Sequence, residues 1–186
     1  GAWYPRGGVY QIAQAMADAA QALGVEIHYG EAVQEINLQN DHVTGLRLAN
    51  GQNVAARTVI ANADVTHTYE HLLPSLAKHH RWLEPSCSGF VLLFGVRAGA
   101  SATSTFTHHN ILFSDDYPRE FDDIFKRKLP TDDPTIYICI TSKTDANHAP
   151  PDHENWFVLV NAPYLTDAYD WRENTSAYAD AVQAKL

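Results

Sequence analysis

Cationic residues are scarce in this chain: thirteen Lys and Arg stand against twenty-two Asp and Glu, a net charge of −9. A surface of that sign repels phosphate backbones, and no basic cluster reverses it locally, so nucleic acid is not expected as a partner. Cysteine is sparse too. Cys87 and Cys139 are far apart and form no CxxC or Cys/His zinc spacing, which reads as two buried free thiols of a cytosolic protein. No apolar run approaches the about 18 residues that a membrane-spanning helix needs, and no signal-peptide pattern is present. Membrane contact, if there is any, is expected to be peripheral.

The familiar engines of catalysis are missing as well. There is no GxGxxG after a strand, no Walker loop, no HExxH, no GxSxG and no EF-hand loop. Gly7 and Gly8 precede a helix, a place where a phosphate can be cradled, but two glycines that simply let the chain turn into the helix are the better reading. The ten histidines include the pairs His79–His80 and His108–His109. Neighbouring residues point about 100° apart on a helix and to opposite faces on a strand, so such pairs rarely chelate through both rings. His67 and His71 fall at i,i+4 on a predicted helix with Glu70 between them, but no clear third ligand accompanies them, and no metal is expected. Asp145 with His148, and Asp152 with His153, lie in polar stretches where Asx turns are the ordinary outcome.

What is present is an ordinary globular complement, 45% hydrophobic, in one domain or one and a half. Val9, Ile12, Met16, Ala19 and Leu23 recur at helical spacing, predicting a helix over 9–23 that Gly24 ends. Strands are predicted at 25–28, 32–38, 42–48, 52–55 and 58–61, with Asn50–Gly51 read as a type I′ hairpin turn. A helix over 65–83 is interrupted at Pro74. Residues 89–96 are apolar on both faces and predict a strand buried on both sides. Further strands fall at 109–113, 135–141 and 156–160. A helix over 117–128 is expected to turn Phe121, Ile124 and Phe125 inward. Another over 174–186 is capped by Ser176 and ends on Leu186 without a C-cap, as an interior piece of a longer chain would. The fold class is α+β, with a mixed or antiparallel sheet and flanking helices.

Several stretches, in one order along nearly the whole chain, resemble the bacterial-type phytoene (carotenoid) desaturases among the FAD-dependent amine-oxidase-like flavoproteins. They include Trp3-Tyr4-Pro5-Arg6-Gly7-Gly8 with its Ala-rich helix, Val59-Ile60-Ala61-Asn62-Ala63-Asp64, Ser88-Gly89-Phe90-Val91-Leu92, His108-His109-Asn110-Ile111, and Thr144-Asp145 with Ala149-Pro150. The resemblance implies that residues 1–64 are part of an incomplete FAD-binding fold, a helix and β-meander. Residues 65–186 would then be a substrate domain, truncated at its C-terminus. It implies FAD in the full-length protein, and that this stretch alone is inactive and binds no FAD. Val33 matches a position whose backbone contacts the adenine in related flavoproteins; an ordinary core valine is the alternative. The implied reaction is desaturation of a long apolar polyene, with Phe90, Leu92, Phe94 and Tyr137 as candidate substrate-binding residues. Catalytic residues are not identifiable. Leu72, Leu73, Leu76 and Trp82 offer an apolar helical face, for a core or for the membrane from which such a protein would draw its substrate. Two other readings stay open: a different amine-oxidase-like flavoenzyme, acting on an amine or on an oxidised carotenoid end group, and a lipid- or carotenoid-binding module without chemistry.

Overall fold

The computed structural model describes residues 3–79, 85–97 and 105–186. His80 and Trp82 lie outside them. Contacts divide the chain into two compact units, one of Gly1–Ile12 with Pro85–Leu186, the other of Ala13–Glu84. Both sheets are antiparallel, so the α+β reading holds.

Helix α1 (Tyr10–Ala22) ends as its glycine demands. Gly24 takes φ +85°, the Val25 amide bonds the Ala20 carbonyl and the Gly24 amide bonds the Gln21 carbonyl. That is a Schellman ending, which closes the last orphan carbonyls. No α1 residue is buried, and the stripe of Ile12, Met16 and Leu23 stays exposed. The strand expected at 25–28 is extended chain instead, because no strand among the described residues pairs with it.

Strands β1 (Val33–Gln39), β2 (His42–Leu48) and β3 (Asn53–Ala55) form a meander in that order. The two-residue turn with positive φ at both central positions lies at Asn40 and Asp41 (50° and 61°), not at Asn50–Gly51. At the latter only Gly51 has positive φ, and its amide closes a four-residue turn onto the Leu48 carbonyl. Gly45 allows β3 to come close: a Cβ there would lie 2.2 Å from the Val54 carbonyl oxygen. Residues 58–61 form no strand, and Ile60 is exposed. Asp64 then caps the short helix α2 (Val65–His67) by accepting the His67 amide, and the chain continues as a π-helical turn (Thr68–Leu72) that packs near β1. Pro74 breaks the helical path as expected and opens a 3-10 turn, Pro74–His79. Leu72 is buried within this unit.

In the other unit β4 (Ser88–Arg97), β5 (His109–Leu112), β6 (Ile136–Cys139) and β7 (His153–Ala162) form one sheet in the order β4-β7-β6-β5. Helix α4 (Trp171–Lys185) covers one face. Its cap is Asp170, which accepts the Arg172 and Glu173 amides, so the helix starts three residues before the expected position 174 and Ser176 lies inside it. Tyr178 and Val182 bury themselves against Ile136, Ile138, Trp156, Val158 and Val160. Helix α3 (Tyr117–Phe121) runs into a π-helical turn, Asp122–Arg127, which rotates the expected face. Ile124 is buried, but Phe121 and Phe125 are exposed and the acidic Glu120 and Asp123 go inward. Glu120 is tolerated there because its carboxylate accepts the Thr135 amide (3.1 Å) and hydroxyl (2.6 Å).

Candidate functional site

Strand alternation gives the four-stranded sheet two unlike faces. Phe90, Leu92, Phe94 and Val96 turn toward α4 and pack on the buried core. Val91, Leu93 and Gly95 turn the other way, and no described element covers them: Leu93 is 76% exposed. Residues 89–96 are thus buried on one side only, which corrects the expectation of a strand buried on both. Register then lines up two rows across all four strands. One runs Val91–Leu159–Tyr137–Ile111, the other Leu93–Phe157–Cys139–His109. The result is a mostly apolar strip crossing the sheet, about 14 Å from three strand spacings. Gly95 and Asn155 pair on one side of it, Gly89 and Asn161 on the other.

The strip ends in polar chemistry at the β5 edge. His109 Nδ1 shares a hydrogen bond with the Tyr137 hydroxyl at 2.8 Å, and the rings stack 5.9 Å apart. Burial, and beyond it the Cys139 sulfur, push the Tyr137 phenol up to about 12, so it stays protonated. His108 sits beside this group, its ring 4.3 Å from that of His109 and its Nδ1 2.6 Å from the Thr144 hydroxyl. Partial burial, and then the neighbouring His109 and His148, hold His108 below the usual histidine value, which favours the neutral ring. The cluster continues through Tyr4, whose ring meets His108 edge-on and whose hydroxyl bonds His148 Nδ1 at 3.2 Å. His148 also bonds the Thr141 hydroxyl, which accepts from Asn155 Nδ2.

Of the four candidate substrate residues, Phe90, Leu92 and Phe94 share the core face and Tyr137 lies on the opposite face, so the structure does not bring them together. The residues that stand beside Tyr137 are the odd-numbered partners Val91, Leu93, Phe157 and Leu159. Their signal was in the sequence as alternation inside an all-apolar run, but hydrophobicity alone could not say which face α4 would take. Gly7 and Gly8 adopt φ +81° and +94°. Asn147 first, then the nearby His148 and the Gly7 amide, hold the Asp145 carboxyl below its usual range. A carboxylate beside Gly7 is unfavourable to a bound phosphate there. Asp145 also accepts the Asn147 amide as the expected Asx turn. His67 and His71 bring their rings within 4.8 Å, but no third ligand residue joins them among the described residues.

Val33 opens β1 and lines a cleft of about 550 Å³ in its own unit, walled by Leu46, Leu48 and Val54. The exposed carboxylates Glu26 and Glu31 also line it. His28, paired with Glu26, and Gln52 complete the lining, so apolar walls meet a polar rim with two carboxylates, a setting compatible with an uncharged heterocycle and unfavourable to a phosphate.

The described architecture is thus a four-stranded antiparallel sheet with one bare apolar face in one unit and a three-stranded meander in the other. The family model of the flavin-containing amine oxidoreductases matches residues 1–186, and this chain belongs to that family. It is 37% identical over 190 residues to the 4,4'-diaponeurosporene oxygenase of Staphylococcus aureus (strain bovine RF122 / ET3-1), covering all of this chain and 38% of the relative. The protein of the same name from Staphylococcus haemolyticus (strain JCSC1435) is 36% identical, again over all of this chain and 37% of the relative. The chain therefore spans well under half the length of the curated relatives it matches. The family to which the collinear motifs pointed is confirmed at this level.

Proposed function

We propose that the intact protein is a FAD-dependent oxidoreductase that modifies a long acyclic carotenoid, and that the bare face of the four-stranded sheet seats part of the polyene. The observation that carries this reading is the pair of registered rows ending at Ile111 and His109. A hydrocarbon chain needs few polar anchors, and a flat apolar strip provides contact along its length without demanding hydrogen bonds. The chemistry that bound FAD supplies is hydride acceptance. The protein's part is to orient the chain, exclude water over the strip, and offer Tyr137, His109 and His108 as hydrogen-bonding groups at one end. Val33 and its cleft would hold the adenine end of the cofactor.

Desaturation is the outcome that motif order suggests. The relatives carry the name oxygenase, which favours insertion of oxygen into a polyene already desaturated. Product mass separates the two, as loss of hydrogen against gain of oxygen. Peripheral contact of a cytoplasmic protein with the bilayer, from which an apolar substrate would be drawn, is part of the same proposal. The division at 64/65 into cofactor and substrate parts, and inactivity of the 186-residue stretch alone, belong to the same proposal. The test is flavin content and carotenoid turnover of the intact protein and of this stretch, side by side, on carotenoid-loaded liposomes. Flavin and turnover in the intact protein alone support the reading. Tight FAD binding by this stretch overturns the cofactor part, and an intact protein without flavin leaves a carotenoid-binding module as the better account.

A further inference from the structure

We propose that His108, His109 and Cys139 form a binding site for a single thiophilic divalent metal ion, with Zn²⁺ the ion their donors fit best. The argument starts from register: His109 and Cys139 are directly paired across β5 and β6 and share one face of the sheet. His108 precedes the first residue of β5, so strand alternation does not send its ring to the far side, and the two imidazoles lie 4.3 Å apart. One ligand atom from each of the three residues lies within 4.8 Å of the others, and no other such group of three occurs among the described residues. A tetrahedral zinc ion with bonds of about 2.0–2.3 Å needs its donors roughly 3.3–3.8 Å apart, a contraction that small side-chain rotations supply.

The surroundings are those of a supported site. Each imidazole already engages one nitrogen with a hydroxyl, His108 Nδ1 with Thr144 and His109 Nδ1 with Tyr137. No hydrogen bond engages the Nε2 of either ring among the described residues, so that nitrogen is the one each would offer a metal while the hydroxyl on Nδ1 fixes ring orientation, the role that outer-shell partners play around metal-bound histidines. The backbone is held as well: the Ile140 amide bonds the His108 carbonyl, extending the β5–β6 ladder past its last pair. β5 is an edge strand and His109 is exposed, so an ion has a path in. Two imidazoles and one thiolate suit zinc or copper rather than magnesium or calcium. Three protein donors leave one coordination position open. The cysteine binds as the thiolate, releasing its proton to solvent, which lowers the charge of the complex by one.

The inference does not depend on the proposed carotenoid chemistry, and its test uses no turnover. The intact protein, with whatever flavin it holds, is dialysed against chelator and titrated with Zn²⁺ by calorimetry. Zinc-edge X-ray absorption of the loaded protein reports the ligands. Separately, alkylation of Cys139 and of Cys87 is followed by peptide mass spectrometry with and without Zn²⁺, which needs no variant. The expected results are about one Zn²⁺ per chain, one sulfur scatterer, selective protection of Cys139, and affinity lowered at least about tenfold in C139S and in H109Q. Absence of saturable binding, a shell of nitrogen and oxygen only, or equal alkylation of Cys139 with and without zinc would overturn it.

Discussion

Leu93 of β4 and Phe157 of β7 are register partners, and both turn away from the helix that buries their neighbours Leu92 and Val158. One residue along the strand therefore separates a core side chain from one on the proposed substrate face. In the intact protein L93D should leave the melting behaviour almost unchanged, within about 0.5 kcal/mol as for exposed positions. It should cut carotenoid turnover at least about tenfold, since a charge on the strip must be desolvated under a hydrocarbon. L92D should instead prevent folding. Thermal denaturation and turnover of the two variants check both halves, and the reverse pattern would show that the faces have been exchanged.

Tyr178 has the sole buried side-chain polar atom without a hydrogen-bond partner among the described residues. Burial first, and then the nearby Glu120, push its phenol upward, which is the electrostatic face of the same isolation. Removing an unsatisfied hydroxyl from a core relieves its desolvation cost. Y178F should therefore stabilise the protein by up to about 1 kcal/mol, measured by denaturant unfolding. A loss of that size would mean that the hydroxyl has a partner after all.

Glu154 is buried on the core face, where burial alone would raise its pKa. The Lys143 ammonium at 2.5 Å and the Trp156 indole at 2.9 Å outweigh burial and hold it below the ordinary carboxylate value. A carboxylate with a depressed folded-state pKa contributes stability above the unfolded value of about 4.3 and loses it as pH falls through the folded value. Stability should thus fall on acidification below about pH 4.3. K143M should cost on the order of 3 kcal/mol at pH 7 by stranding a buried charge. In K143M the acid side of the profile should flatten, because Glu154 then folds more readily when protonated. A pH series of unfolding curves for both proteins reads this directly.

Gly45 is the close-approach point of the meander. G45A puts a methyl group into the Val54 carbonyl, a contact that real side chains do not make, and the obstruction is backbone rather than a movable side chain. The β2–β3 pairing of Leu46 with Val54 should open, with a loss of about 2–3 kcal/mol locally. Hydrogen exchange at those two amides should rise while the sheet containing β7 stays protected.

Much of this fold was legible because local chemistry and tertiary need agreed. Gly24 ends α1, Pro74 breaks the second helical segment, and β1 and β2 form where alternation predicts them, although register shifts between Val33 and Glu35 and between Asn37 and Leu38 interrupt the pairing. The failures have physical reasons. Residues 25–28 and 58–61 have strand composition, but a strand exists only against a partner. Phe121 and Phe125 had helical spacing, yet a π-helical turn rotated them outward and let Glu120 find the Thr135 amide and hydroxyl. Hydrophobicity could mark residues 89–96 as apolar but could not choose a face, which misplaced Phe90, Leu92 and Phe94 relative to Tyr137. The His108–His109–Cys139 grouping was invisible in spacing because it depends on β5–β6 register across 30 residues.

The most direct test is turnover by the intact, flavin-replete protein on liposomes loaded with an acyclic carotenoid, with the product identified by mass. The account predicts a carotenoid product that has lost hydrogen or gained oxygen, formed by the parent and nearly abolished in L93D. Flavin-replete protein that leaves every acyclic carotenoid unchanged while oxidising an amine would contradict it.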